Sequence, residues 1–284
     1  MTIIDGKKIA ESIKDGLASD IFSLLNQGYR HPHLSIISAD NREDSKLYVS
    51  LKEKAAKEVG IDVSLYKINE NDSEQSIVDV INFLNTDDSV DGILVQLPLP
   101  AKFNTKNILP LINPDKDVDG FNAEKIFYSP VMLAIKYSLD ENNIDYNNKK
   151  AFLFFNSDIF EKETKNFLNK LNIELNTISS EEFNKISTDK SKLKDLQDEV
   201  KKHDILITAM GQPEIIDSNF LSNDMTIIDI GITKIEKKVW GDVKISDTKK
   251  LSGYITPVPG GVGPMTVACL LKNVLQAYLL KVEK

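Results

Sequence analysis

Apolar residues at Ile9, Ile13, Leu17, Ile21 and Leu24 recur at steps of three and four, which lays one apolar stripe along a helix running from Gly6 to a stop at Gly28. His33 to Ser38 is a short apolar run and reads as a strand; a polar loop follows over Ala39 to Asp44. Helical spacing returns from Ser45 to Val59, with Gly60 as its C-terminal stop. Asp62 to Ile68 reads as a strand, Asp72 to Asn85 as a helix with Asp72 and Gln75 in capping-box positions, and Gly92 to Leu97 as a buried strand. The pattern restarts at Ala151 to Phe155, a second buried strand, followed by a helix at Glu161 to Leu171 and a strand at Ile173 to Ile178. Glu181 to Lys202 is the most polar stretch and is expected to be a solvated loop and helix, the helix spanning Ser191 to Lys202. Strands at Asp204 to Met210 and Met225 to Ile232 precede a last helix, Thr266 to Val282, entered through Pro264. Strands alternating with helices build βαβ units, so the expected class is α/β with mainly parallel sheets in two domains.

Composition narrows the partners. At roughly 150 residues per domain, 284 residues also suggest two domains. A formal charge of −8, with no basic stripe interleaved with aromatics, disfavours nucleic acid. The single cysteine, Cys269, has no intrachain partner, and His31, His33 and His203 lack zinc-ligand spacing, so a reduced, metal-free chain is expected. The first residues lack the apolar run of a signal peptide, and no stretch approaches about 20 apolar residues, so a soluble, cytoplasmic protein without a membrane segment is expected.

Candidate chemistry clusters at four places. Tyr48 and Lys52 are four apart on a predicted helix and so share a face, where an ammonium lowers a phenol's proton affinity and moves a proton itself once desolvation brings its pKa down. Gln96 stands at the carboxyl end of a strand, where open α/β sheets bind ligands, and the run Leu97-Pro98-Leu99-Pro100 stops the ladder there. Lys116-Asp117-Val118-Asp119-Gly120-Phe121 is an acidic turn, and Pro257 to Pro264 is a side-chain-poor loop before a helix, suited to close backbone approach by a ligand. A Tyr-x-x-x-Lys pair also occurs in short-chain dehydrogenases, but no strand with a glycine-rich turn precedes the first helix here.

The chain resembles the bifunctional methylenetetrahydrofolate dehydrogenase/methenyltetrahydrofolate cyclohydrolases. The resemblance rests on Tyr48-Val49-x-x-Lys52-x-Lys54, Val59-Gly60-Ile61, the run from Asp91 to Pro100, and Lys116 to Phe121. In the second half it rests on Asp204 to Ile207, Gly211-Gln212-Pro213, Ile228 to Ile232, Gly241-Asp242-Val243 and Tyr254 to Thr266, all in the family's order. It implies a folate-binding catalytic domain over 1–120 plus 265–284, a Rossmann-like domain over 121–264, and a folate cleft between them. It further implies Lys52 as the central catalytic residue, hydrogen-bonded to Gln96 and assisted by Tyr48, with Asp119 on the pterin and Pro257, Gly260 and Gly261 lining the folate. Ser157 and Ile232 match cofactor-binding positions, and a homodimer is expected on the same ground.

The chain departs from the family at the dinucleotide turn. Phe155-Asn156-Ser157-Asp158-Ile159-Phe160-Glu161-Lys162-Glu163 stands where the family has Gly-Arg-Ser-x-x-Val-Gly-x-Pro, so only the serine is kept. Lost backbone approach and a carboxylate near a helix start each oppose a pyrophosphate by on the order of 1–3 kcal/mol, which puts NADP binding in doubt. The wall after Gly120 is also shortened, with Tyr128-Ser129-Pro130 at the matching place, and Arg42-Glu43-Asp44-Ser45 brings charge to the cleft mouth. The leading expectation is therefore methenyltetrahydrofolate cyclohydrolase activity without NADP-dependent dehydrogenase activity. The alternatives are the full bifunctional enzyme with NAD or NADP, and a folate- or partner-binding homologue without turnover.

Overall fold

The computed structural model describes residues 1–39, 42–69, 71–122 and 124–282. In chain order they form β1 (Thr2–Ile3), α1 (Gly6–Asn26), β2 (His33–Ser38), α2 (Glu43–Val59), β3 (Asp62–Lys67), α3 (Glu74–Thr86), β4 (Gly92–Val95), α4 (Thr105–Ile108) and α5 (Pro130–Asp140). The second half adds β5 (Lys150–Phe155), α6 (Asp158–Lys170), β6 (Glu174–Ser179), α7 (Ser180–Ile186), α8 (Lys190–Val200), β7 (Ile205–Ala209), β8 (Thr226–Asp229), β9 (Thr233–Ile235), β10 (Lys238–Trp240), β11 (Tyr254–Ile255) and α9 (Val262–Val282). Two compact units result: Ala10–Leu133 with Thr266–Lys284, and Met1–Ile9 with Ala134–Met265. The expected division at residue 120 thus moves to 133, inside α5, and the first nine residues join the other unit because β1 pairs in parallel with β11. Segments so far apart in sequence leave no local pattern by which to be joined.

In the unit built on Ala10–Leu133, β3, β2 and β4 form a parallel sheet in that order. Successive strand residues point to opposite faces, and both faces are apolar. Leu34, Ile36 and Leu94 join Leu17 and Ile21 of α1, Val49, Ala56 and Val59 of α2, and Leu270, Val274 and Tyr278 of α9. Ile37, Ile93 and Val95 face the other way, onto Ile77, Ile81 and Leu84 of α3. Each of those fully buried α3 side chains contributes about 1.5–3 kcal/mol of transfer free energy. The expected capping box at Asp72 and Gln75 does not form: α3 starts after Ser73, and Asp72 instead accepts the Asn69 N–H at 2.7 Å, closing the turn before the helix. α9 is long and apolar enough to cross a membrane by length and composition, contrary to expectation. Leu270, Leu271, Val274, Leu275, Ala277 and Tyr278 of α9 belong to the core just described, which accounts for much of that composition.

The other unit holds a parallel sheet in the order β1-β11-β8-β7-β5-β6. Phe152, Phe154, Leu206 and Ile227 fill one side, and the Phe154 ring meets Phe183 and Phe220 nearly edge-on at centroid distances of 5.6 and 5.8 Å. The polar stretch forms two helices, α7 and α8, rather than one. β8 stops at Asp229, earlier than expected; Ile230 still donates to the Thr208 carbonyl of β7 at 2.8 Å, and Gly231 and Ile232 leave the sheet at its carboxyl edge, where an antiparallel β9–β10 hairpin follows. The two-domain α/β class with mainly parallel sheets is present as the periodicity implies.

Candidate functional site

α2 positions the first group. Its buried face, Val49, Ala55, Ala56 and Val59, is held in the core, and Gly60 at φ 88° closes it by donating to the Ala56 and Lys57 carbonyls. That leaves Tyr48 and Lys52 together on another face, with Tyr48 exposed and Lys52 half-buried. Lys52 Nζ donates to Gln96 Oε1 at 2.9 Å, across 44 positions of sequence. Gln96 is buried directly after β4, and its own Nε2 donates to the Leu97 carbonyl at 2.7 Å, which fixes the amide so that its oxygen meets the amine. Burial lowers the Lys52 pKa, opposed by the charge of Asp119. A glutamine is a neutral acceptor, so it orients the amine without holding a proton on it.

The turn carrying Asp119 is built from its neighbours. Lys116 is buried and donates from Nζ to the carbonyls of Leu84 and Asp87, both at 2.7 Å, capping the end of α3. Asp117, also buried, accepts from the Gly120 N–H at 3.1 Å and from the Asn122 N–H. Gly120, at φ 73°, sits where a Cβ would stand 2.9 Å from the Phe127 carbonyl and the Ser129 nitrogen. From α9, buried Asn273 donates to the carbonyls of Val118 and Tyr128, both at 2.8 Å. The acidic turn is thus a scaffold in which Lys116 and Asp117 are structural and Asp119, half-buried, bears on Lys52. Sequence reading does not find Asn273; its one signal is a lone amide in an apolar helix. Replacing Lys116 by methionine keeps the volume but strands two carbonyls, and is expected to cost about 2 kcal/mol of stability in urea unfolding. An unchanged unfolding midpoint would show the cap to be dispensable.

Pro257, Gly260 and Gly261 lie in the other unit. A Cβ on Gly261 would stand 2.6 Å from the Pro257 carbonyl and 2.7 Å from the Thr256 Cβ, and Gly260 takes φ 107°, so this loop is folded closely on itself before α9. α9 starts at Val262 rather than Thr266, which puts Pro264 within its first turn, where a missing N–H costs no helix bond.

The six-stranded sheet reverses its strand order between β5 and β7, since β6 lies beyond β5 on one side and β7 on the other. Open α/β sheets bind ligands outside the carboxyl ends of strands at such a point. Ser157 follows β5 there and caps α6, accepting the Phe160 N–H at 3.5 Å. Asn156 Nδ2 donates to the Met210 carbonyl at 2.9 Å, joining the ends of β5 and β7. Ile232, half-exposed, leaves the same edge beyond β8. The position fits a dinucleotide. α6 begins at Asp158, three residues earlier than expected, because Ser157 is its cap; its first turn therefore carries two carboxylates, Asp158 and Glu161. Among the described residues no group of three or more His, Cys, Asp or Glu side chains is placed to hold a metal ion.

Two family models match the chain. The one described as "Tetrahydrofolate dehydrogenase/cyclohydrolase, catalytic domain" covers residues 4–119, and the one described as "Tetrahydrofolate dehydrogenase/cyclohydrolase, NAD(P)-binding domain" covers residues 131–282. A protein from Thermodesulfovibrio yellowstonii named "Bifunctional protein FolD" is 39% identical over 292 residues, which cover 99% of this chain and 97% of that protein. One of the same name from a Sulfurihydrogenibium species is 38% identical over 291 residues, 99% of each chain. Among solved structures, the bifunctional dehydrogenase/cyclohydrolase FolD of Campylobacter jejuni superposes with a TM-score of 0.90 at 34% identity, over 99% of both chains. The Trypanosoma brucei dehydrogenase-cyclohydrolase, solved with NADP cofactor and inhibitor, gives 0.90 at 28% identity, over 100% of this chain and 99% of that one. These likenesses favour the full bifunctional alternative over the expectation of hydrolysis alone, and correct the doubt placed on the dinucleotide, since an NAD(P)-binding domain is matched along nearly the whole second half.

Proposed function

Because the chain belongs to the tetrahydrofolate dehydrogenase/cyclohydrolase family, we propose that it catalyses both oxidation of methylenetetrahydrofolate and hydrolysis of the resulting methenyltetrahydrofolate to formyltetrahydrofolate. The observation that carries the reading is the Lys52–Gln96 pair, a desolvated amine on a fixed neutral acceptor. In the hydrolysis, Lys52 takes a proton from water as the water oxygen bonds to the methenyl carbon; the carbon–nitrogen bond to one of its two nitrogens then breaks as the new hydroxyl loses its proton to solvent and becomes the formyl oxygen, and Lys52 passes its proton to the leaving nitrogen. Gln96 orients the amine, Tyr48 lies on the same helix face to assist, and Asp119 accepts two parallel hydrogen bonds from the pterin's amino-pyrimidine edge. Pro257, Gly260 and Gly261 offer backbone to the folate, and Asn156, Ser157 and Ile232 hold the nicotinamide dinucleotide. When bound, that group supplies the hydride acceptor for the oxidation. A cytoplasmic homodimer belongs to the same proposal and rests on the family resemblance.

Methylenetetrahydrofolate with NADP or NAD is expected to yield reduced dinucleotide, and methenyltetrahydrofolate to lose its absorbance with no dinucleotide added. A second reading, hydrolysis alone, is favoured by the two carboxylates in the first turn of α6, which repel a pyrophosphate. Hydrolysis with neither dinucleotide reduced would support it; absence of both reactions would sink the catalytic reading. Asp119→Asn loses one acceptor and is expected to weaken tetrahydrofolate binding by about 10- to 100-fold, since a charge-assisted hydrogen bond contributes about 1.5–3 kcal/mol. Unchanged affinity by calorimetry would remove Asp119 from the pterin site.

A further inference from the structure

The strings Asp229-Ile230-Gly231 and Gly241-Asp242-Val243 take no part in the chemistry above, yet they hold two buried carboxyl groups side by side in the fold. Asp242 accepts three hydrogen bonds from β7 and the turn leaving it: Thr208 Oγ1 at 2.7 Å, the Met210 N–H at 2.6 Å and the Gln212 N–H at 2.8 Å. Asp229, at the end of β8, accepts from the N–H groups of Gly231 at 3.0 Å, Asp242 at 3.2 Å and Val243 at 2.9 Å. One carboxylate thus fixes the backbone that carries the second, and the second fixes the end of the neighbouring strand. The two glycines are the space these carboxylates occupy: a Cβ on Gly241 would stand 2.1 Å from Asp229 Oδ2, and one on Gly231 would stand 2.1 Å from the Asp242 carboxyl.

β7 ends at Ala209, so the Met210 and Gln212 amides lie beyond the ladder and have no strand to bond. Gly211, at φ 67°, turns the chain between them so that both reach one carboxylate. The Met210 carbonyl is taken at the same time by Asn156 from the end of β5. We infer that Asp242, held in place by Asp229, is a positioning residue for the nicotinamide dinucleotide, setting the 209–213 backbone at the edge where β5 and β7 part. The inference rests on the dinucleotide reading proposed above.

Asp242→Asn keeps the shape but turns an N–H₂ group toward donors, and is expected to raise the calorimetric Kd for NAD or NADP at least tenfold while tetrahydrofolate affinity, to which Asp119 of the other unit contributes, shifts less than twofold. Thr208→Val removes one donor without changing shape and is expected to raise the dinucleotide Kd about threefold; it decides the matter should the Asn variant fail to fold. Parent protein that binds neither dinucleotide ends the dinucleotide reading and this inference with it. Parent protein that binds, with variants that melt at lower temperature but bind the dinucleotide equally well, overturns the positioning role alone and leaves the pair structural.

Discussion

Lys52→Met is expected to cut hydrolysis of methenyltetrahydrofolate by about 10²- to 10⁴-fold, the range that a positioned general acid–base supplies. The side chain carries little of the fold: it is half-buried on a helix held by Val49, Ala56 and Val59, and its amine donates to Gln96 rather than to any backbone carbonyl of the core. Methionine is close to it in volume and brings no charge into the space, so melting temperature and tetrahydrofolate affinity are expected to change little. Turnover per folded molecule is the measurement. A methionine variant hydrolysing at the parent's rate would show that water loses its proton elsewhere. The parent's rate is expected to rise with pH through an inflection below that of an ordinary lysine, because burial lowers the Lys52 pKa and the neutral amine is the working form.

Gln96→Glu is expected to produce the second large loss, of a different kind. It places a carboxylate where the amide oxygen now accepts from Lys52 at 2.9 Å, and an opposite charge at that range raises a lysine pKa by about 1–3 units. Below that pKa the neutral fraction falls tenfold per unit, so hydrolysis near neutral pH should drop by about 10- to 1,000-fold and recover as pH rises. Recovery is the discriminating readout, since a merely damaged site would not regain rate on the alkaline side. An unshifted pH profile would mean that protonation of Lys52 does not govern the rate.

Much of this protein is legible in local pattern. The three-and-four spacing of α1 and the largely apolar runs of β2, β4, β5 and β7 state their periods within a few residues, and a buried parallel strand needs no partner's sequence to read as apolar on both faces. Tyr48, Lys52, Gln96 and Asp119 are singled out by the strings that carry the family resemblance; helix face, strand end and tight turn by themselves say only where these side chains stand. Element ends are less legible. α6 begins at Asp158 because the Ser157 hydroxyl caps it, and α3 lacks its expected box because Asp72 closes the preceding turn; several polar side chains could serve each end, and sequence does not rank them.

What only the tertiary structure decided is which distant groups meet. β1 pairs with β11 through two residues on each side, too few to carry a pattern, so the first nine residues belong to the unit opposite the one expected. Lys116 reads as a charge in an acidic turn, yet it is buried as the cap of α3, because the carbonyls it satisfies lie some thirty positions earlier. Asp229 and Asp242 read as ordinary polar positions; both are buried with three donors converging on each, a convergence that exists only once β7 and β8 lie side by side, and even so burial pushes the Asp229 carboxyl up to about 7. Periodicity and turn chemistry act over a few residues and are written in order along the chain, whereas hydrogen-bond satisfaction of buried groups is a property of the packed whole.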